Sequence, residues 1–471
     1  MKYLLLLTLL SWVTLSYTQH HEINEKPIMW KGNQNEIIDT TSILHAFKSG
    51  TTQGHFRYFF SSTTNEGNLS DYYANAIGGG LRYETAKYKN FQFAVSGFYF
   101  FNIKSSDLHI PDSLTGQLNR YEIGLFDIEN PDNHKDMDRL EELYLKYNFK
   151  KGHVIFGRQL INNPLINLQD GRMRGTGVEG VWLDYELKKI KLEGGYLYAI
   201  SPRSTTKWYS IDESIGIYPS GVGMNGGKSN YFGNLTSAGV GVISLKYKIL
   251  KNLELQAWDY YLDNILNSGF FQFNYEKEIR TNKKLVFAGQ LIRQDAIRFG
   301  GNEDPSKTYV EKGSKSMTFG GQIGYKVKNA LFSINYNRIT KHGRYLFPRE
   351  WGRDPFFTFL PRERSEGFGD VHAIVAKYEQ KFPKKNVKSS IGFGYVQLPD
   401  VLNFRLNKYG VPSYYQINLD VRYQFKNLCK GLESQLLIVS KFNAGETYNN
   451  PKYRFNKVNM LLINLVLNYH F

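Results

Sequence analysis

The chain has 471 residues, of which 15% are aromatic and only one is cysteine, and its 59 lysines and arginines exceed its 43 acids to give a formal charge of +16. A lone cysteine, Cys429, excludes an intramolecular disulfide framework and any cysteine-built zinc or iron–sulfur centre. Beyond the N-terminus no run of about 18 uninterrupted apolar residues occurs, which excludes a transmembrane helix and leaves strands as the only route across a bilayer.

Met1-Lys2-Tyr3 and the apolar run Leu4 to Leu15 have the charged head and apolar middle of a secretory signal. The small-residue exit at Ser16-Tyr17-Thr18 predicts a signal peptide over 1–18 with cleavage before Gln19, and no adjacent cysteine offers a lipid anchor. An exported chain seldom meets nucleic acid, so the positive charge is not read as a nucleic-acid surface. Residues 19–53 show no strand period and are expected to form a periplasmic extension. Their His20-His21 pair lacks a third ligand and makes a poor metal site, and no metal or other cofactor is expected.

From residue 54 to 471 the chain reads as one all-β domain of two-faced strands. The period of two predicts strands at 54–60, 72–85, 91–101, 142–150, 153–159, 178–187, 190–199, 239–249, 253–262, 268–278, 284–294, 316–327, 330–340, 371–381, 388–397, 415–425, 432–442 and 459–471, eighteen in all. The last is the clearest: Leu461, Ile463, Leu465, Leu467, Tyr469 and Phe471 share one face, and Asn464, Asn468 and His470 the other. A span of about ten residues, oily on one side and polar on the other with a terminal aromatic, is the form of a transmembrane barrel strand.

Connections alternate between short and long. The short ones, such as Lys87–Asn90, Lys150–Gly152, Lys188–Lys189, Thr281–Lys283 and Pro383–Val387, carry lysine; the long ones, such as 102–141, 200–238 and 341–370, are rich in Gly, Pro and Asn. This predicts a closed antiparallel β-barrel in an outer membrane, with short turns and both chain ends on the periplasmic side. Its surroundings would be outer-membrane lipid, lipopolysaccharide and the barrel-assembly machinery, and much of the charge would be a solvated rim.

Three blocks then carry a family resemblance. Gly54-His55-Phe56-Arg57 with Asp71 to Gly79 and Arg82-Tyr83-Glu84-Thr85 is similar to the opening of the OprD family of substrate-selective porins. Gly157-Arg158-Gln159, Pro164-Leu165, Asp170-Gly171-Arg172-Met173-Arg174 and Glu179-Gly180 resemble its third-loop region, and Trp351-Gly352-Arg353-Asp354-Pro355-Phe356-Phe357 with Arg362-Glu363-Arg364 is a third match. The resemblance implies a monomeric eighteen-stranded barrel whose third and seventh long connections, here 160–177 and 341–370, bend inward and line the pore with arginines and lysines that guide carboxylate-bearing solutes.

On that basis Arg158, Arg172, Arg174, Arg353 and Arg364 are the expected constriction residues. Guanidinium groups suit the task because they stay charged and donate paired bonds in one plane. For Arg158, Arg172 and Arg174 the alternative is pairing with Asp170, Glu179 or wall acids to hold a loop down; for Arg353 and Arg364, interleaved with Glu350, Asp354, Glu363 and Glu366, it is a solvated loop. By strand parity Arg57, Arg82, Lys146, Lys246, Lys326, Lys377 and Arg422 fall on the water-facing side. The expected function is passive diffusion of small anionic or zwitterionic solutes. The competing readings are an oligosaccharide porin, with Tyr144, Phe98 and Trp258 as a stacking track, and a barrel enzyme, for which no Ser and His spacing singles out a nucleophile and base. Gly221-Val222-Gly223-Met224-Asn225-Gly226 matches a dinucleotide fingerprint in letters only, since no buried strand precedes it and no helix follows. Asn68-Leu69-Ser70 and Asn234-Leu235-Thr236 read as plain loop residues.

Overall fold

The computed structural model describes Trp30 and residues 39–168 and 172–471. The expected leader, the His20-His21 pair and Asp170 lie outside these residues.

Eighteen long strands form one closed antiparallel ring. They are β1 Thr51–Asn65, β2 Tyr72–Glu84, β3 Phe91–Ser105, β4 Met137–Phe149, β5 Gly152–Gln159, β6 Gly177–Glu186, β7 Ile190–Ser201, β8 Val240–Leu250 and β9 Leu253–Leu262. The ring continues with β10 Leu266–Arg280, β11 Lys283–Ala296, β12 Lys315–Val327, β13 Ala330–Ile339, β14 Val371–Phe382, β15 Val387–Gln397, β16 Tyr414–Gln424, β17 Leu432–Asn443 and β18 Met460–His470. Each pairs with its chain neighbours, and β18 returns to pair with β1 from His55 opposite His470 to Asn65 opposite Met460. Closure leaves no sheet edge, as hydrocarbon demands of backbone donors and acceptors.

Every expected strand has a counterpart, with β1 and β4 starting three or more residues earlier than the alternation shows. In β1 the added Thr51-Thr52-Gln53 pairs with Glu84, Tyr83 and Arg82 but offers no apolar residue to mark an outer face. In β4 the added Met137 to Glu141 holds Arg139 and Glu141 in a fully buried ion pair of 2.8 Å, which reads as polar loop. The short turns bend through left-handed residues at Asn90, Asn282, Lys328, Asn386 and Asn427. At the opposite end the connections are 66–71, 106–136, 160–176, 202–239, 263–265, 297–314, 340–370, 398–413 and 444–459, termed loops 1 to 9. Loop 5 is only three residues long and loop 1 only six, two breaks in the short–long alternation.

The two faces differ as solvents require. Ile243 is 70% exposed and Ile323 62%, in company with outward Leu, Phe and Tyr on every strand, which is the lipid-facing surface. Inward residues near the short-turn end are Gln, Asn, Ser and charged groups. Nearer the long-loop end the inner wall turns apolar, with Val178, Leu197, Ile200, Val240, Tyr260, Leu262 and Leu266 buried against loop residues Leu165, Ile166, Tyr345, Trp351 and Phe356. A packed core therefore sits inside the barrel, where loops fold in and displace water.

The N-terminal segment carries two local features. Trp30 meets His55 edge to face at 6.4 Å on the inner wall, and a single α-helical turn, α1 Ile43–Lys48, precedes β1.

The ring is sealed at Phe471, whose N–H donates to the Gly54 carbonyl at 3.1 Å while the Gly54 N–H donates back at 2.9 Å. The terminal ring stacks on Phe56 and Tyr469, and a Cβ on Gly54 would stand 2.0 Å from its Cζ. Gly54→Val is expected to displace this ring and destabilise the seam by about 1–3 kcal/mol. The measurement is the temperature at which the folded, fast-migrating band converts to the unfolded band in detergent gels; an unchanged transition would refute the assignment.

Candidate pore constriction

The constriction is assembled by main-chain carbonyls that meet polar side chains of the wall. Loop 7 runs along the inside of the barrel as a strap. Gln290 of β11 donates to the Pro355 carbonyl at 2.6 Å, Lys377 of β14 to Phe359 at 2.8 Å, Gln416 and Asn418 of β16 to Pro361 at 2.8 and 3.1 Å, and Lys441 of β17 to Arg362 at 2.9 Å. The Arg362 guanidinium completes the crossing by donating to Asn464 Oδ1 of β18. Prolines suit such a strap because they lack the N–H that would otherwise need a partner.

Loop 3 is clamped onto it. Asn167 donates from its backbone to the Trp351 carbonyl at 3.1 Å and from Nδ2 to the Arg353 carbonyl at 3.1 Å, while the Arg353 N–H donates to Asn167 Oδ1 at 3.1 Å. A Cβ on Gly352 would lie 2.8 Å from both Asn167 Nδ2 and the Leu165 carbonyl, so only glycine permits this approach. Loop 4 joins through Glu350, whose Oε1 accepts from the Gly216 and Tyr218 N–H groups at 3.1 Å each. Loop 2 docks on β1 through Glu122, which accepts from Ser61 and Thr63 hydroxyls at 2.9 and 2.7 Å; burial raises its carboxyl above the ordinary range. Farther up, Lys408 of loop 8 pairs with Glu366 at 2.8 Å among the rings of Tyr231, Tyr309 and Tyr409. Burial alone would raise Glu366, but the Lys408 and Arg349 charges and the Lys408 and Tyr409 hydrogen bonds hold it low.

The expected constriction arginines separate on this frame. Arg172 lies across Gly124 of loop 2 and is 8% exposed, and its carbonyl accepts from Arg57 at 2.7 Å. Burial, then the charges of Arg362 and Arg203, pushes its guanidinium down to about 9, still a cation at neutral pH. Arg174 is buried, with its guanidinium 4.6 Å from the Phe100 ring centre and donating to the Thr205 carbonyl. Arg353 and Arg364 are partly exposed and lie over the Phe359 and Tyr409 rings at 5.2 and 5.7 Å.

Arg158 is a correction. Its cross-strand neighbours are Leu143 and Glu179, and it shares parity with Phe156, which is 56% exposed on the lipid side. It therefore faces outward, paired with Glu179 at 2.9 Å and over the Trp208 ring at 4.7 Å. The pairing alternative to a pore role is the one realised.

The seven strand-borne bases all face the lumen, mostly compensated by wall acids. Arg82 meets Glu84 and Glu142 at 2.9 and 3.1 Å, Lys146 meets Glu84 at 3.6 Å, and Lys246 meets Glu193 at 2.7 Å. Lys326 meets Glu276 at 3.5 Å and Arg422 meets Asp420 at 3.1 Å. Lys377 serves the strap, and Arg57 donates to Asn468 at 2.7 Å as well as to loop 3. The proposed stacking track finds no free faces: Phe98 and Trp258 are 2% and 3% exposed, and the Tyr144 hydroxyl is engaged by Arg82 and Glu84. Among the described residues no group of three His, Cys, Asp or Glu could hold a metal ion.

Sequence reasoning passed over Arg203 and Arg120, which lie in loops 4 and 2 beside Arg172, Arg362 and Lys441. No period or motif marks a loop residue that long-range packing brings inward. On the short-turn side of the strap a cavity of about 370 Å³ opens between β5 and β11, lined by Gln159, Asn163, Trp182, Lys246, Gln272 and Phe357. A smaller one of about 90 Å³ lies under Leu360, lined by Lys377, Lys381, Lys388 and Arg422 with Glu379 and Asp420.

A closed membrane barrel narrowed by loops that cross its lumen defines the class: this is a porin, and fold and family are those of channels rather than enzymes. Residues 115–359, just over half of the chain, match the outer membrane porin, OprD family, and the chain belongs to that family and to the outer membrane. Among solved structures it is similar to Pseudomonas aeruginosa OpdK determined with vanillate, at 12% identity over 90% of this chain and 99% of that one, with a TM-score of 0.68. Acinetobacter baumannii OccAB4 shares 16% identity over 93% of this chain and 100% of its own, TM-score 0.67, and OccAB2 of that organism 13% over 91% and 99%, TM-score 0.69. At such identities the likeness is one of fold. No curated protein matches the chain.

The strap carries two carboxyls far from their ordinary range. Burial, reinforced by the Glu366 charge, pushes Asp354 up to about 7 although the Ser365 N–H donates to it at 2.8 Å. Burial likewise pushes Glu363 up to about 7 against a bond from the Leu360 N–H at 3.0 Å. A docked strap keeps protons that an undocked one releases above about pH 4, so docking is strongest in acid and loses this contribution as pH rises to about 7. Hydrogen exchange across 345–368, corrected for intrinsic rate, is expected to be faster at pH 8 than at pH 5 by roughly a hundredfold or more. Asp354→Asn with Glu363→Gln should flatten the profile; a flat profile in the unaltered protein would contradict it.

Proposed function

We propose that the channel conducts small carboxylate-bearing solutes, amino acids or organic acids, past a basic constriction built by loops 2, 3, 4 and 7. The observation that carries the reading is the crowding of Arg172, Arg203 and Arg362, whose charges act on one another where the strap meets loop 3. Arg353 and Arg364 extend this positive field along the strap, and Arg174 adds to it from its buried place between Phe100 and the Thr205 carbonyl. Such a field favours anions, while weak and repeated contacts allow release. OpdK, one of the similar structures, was determined with vanillate, itself a carboxylate.

The wall pairs fit a passage that concentrates selectivity at one level. Below the strap most lumenal bases stand beside an acid, so net positive charge falls mainly on the loops. The lysine-rich short turns mark the periplasmic rim in this reading, with both chain ends on that side, and the long loops face the cell exterior.

Single-channel recording in planar bilayers tests the assignment. Arg172→Ala or Arg362→Ala should each lower the anion-over-cation permeability ratio roughly fivefold, the effect of about 1 kcal/mol per charge in a wet lumen, and should weaken block by sodium benzoate. Arg158→Ala, on the lipid side, should leave both unchanged. Equal effects of all three, or none from the first two, would remove the basic constriction.

A further inference from the structure

The helical turn α1 lies on the outside of the barrel. Near its start Asp39–Thr40 runs parallel to Lys87–Tyr88 in the turn between β2 and β3, with the Thr40 hydroxyl donating to the Lys87 carbonyl at 2.8 Å. Ser42 caps the turn by accepting from the His45 N–H at 3.1 Å. Its inner side is held by the barrel: Ala46 is 3% exposed, and the Ala86 N–H donates to its carbonyl at 3.0 Å. The Phe47 ring stacks on Tyr83 at 6.3 Å and meets Phe93 at 6.4 Å, and the Tyr83 hydroxyl donates to the Phe47 carbonyl. Tyr83 shares the parity of Leu81, and Phe93 that of Phe91, which are 58% and 44% exposed on the lipid-facing surface. The helix is thus packed against the outer wall at the short-turn end.

Its other side is bare. Ile43, Leu44 and Phe47 are 60%, 65% and 48% exposed, and at about 100° per residue they fall within an arc of about 100°. Three large apolar side chains on one six-residue turn would be an unfavourable patch in water. They are continuous with the aromatic girdle to which Tyr83, Phe91 and Tyr147 belong, the level at which a bilayer meets its headgroups. Lys48, exposed, falls about 40° beyond one edge of the arc, where a basic side chain reaches headgroups while its stem stays in the apolar layer.

We propose that α1 is an interfacial anchor whose Ile43, Leu44 and Phe47 face is covered by the phospholipid leaflet at the short-turn rim. It lies in the membrane surface and pins the chain entering β1 to β2, β3 and the turn between them. The barrel's lipid-facing surface settles the choice of occupant, because a leaflet that wraps Tyr83 and Phe93 reaches the helix without a gap.

The full-length protein carrying Cys429→Ser and a single Leu44→Cys, labelled with an environment-sensitive fluorophore, is reconstituted in phosphatidylethanolamine and phosphatidylglycerol vesicles. A matching Lys188→Cys label, on an exposed turn of the same rim, is the reference. The Leu44 label should be quenched by shallow doxyl lipids and shielded from aqueous iodide about threefold relative to Lys188. Iodide access equal to that at Lys188 would overturn the proposal, as would a label reached by neither quencher but cross-linked to a second copy or a soluble protein. Ile43→Asp with Leu44→Asp should leave conductance unchanged and speed extraction by mild detergent several-fold; unaltered extraction would also count against it.

Discussion

The structure rests on one requirement: a backbone within hydrocarbon must satisfy every N–H and C=O from its own chain. Eighteen strands meet it by bending until the last pairs with the first. The two-faced sequence follows, since each strand then has a wall to lipid and a wall to the lumen. So does the role of Phe471 at the seam, where two hydrogen bonds to Gly54 and a stack on Phe56 finish the ring.

The same requirement reappears inside the lumen with a different solution. Loops that enter a channel bring peptide groups that no neighbouring strand can pair. The strap answers with proline and with wall amides and lysines that take its carbonyls in turn, from Gln290 to Lys441. Side chains that look like pore lining by parity are thereby engaged. Lys377 is a lumenal cation and equally a bracket for Phe359, and Arg57 braces loop 3 through the Arg172 carbonyl. Charge in the wall is largely internal to the wall, with acids and bases in contact along one strand or across one or two strand spacings. The loops hold the charge that a solute meets.

Much of the barrel was legible because its code is the simplest in protein structure, a period of two enforced by two solvents. Leu461 to Phe471 could be placed face by face from their letters alone. What escaped lies where the period is silent. Thr51-Thr52-Gln53 has no apolar member, and Arg139 and Glu141 are masked by their mutual pairing under the loops. Arg158 is a sharper case: Val154, Phe156 and Arg158 share a face by plain alternation, whereas a family motif pointed to the pore. There the local pattern was the better guide, because a motif identifies a region and parity assigns a direction. The loop cations could be named in part, as Arg172, but its grouping with Arg203 and Arg362 depends on contacts between segments far apart in sequence, for which no local signal exists.

Fastening the strap by its peptide carbonyls separates two properties that a narrow channel usually couples. The bore is fixed by atoms common to all residues, so it survives exchange of the side chains at 353 and 364. An aperture of constant gauge can then be re-trimmed one position at a time, and a lineage can drift from one cargo to another without passing through a leaky or blocked ancestor.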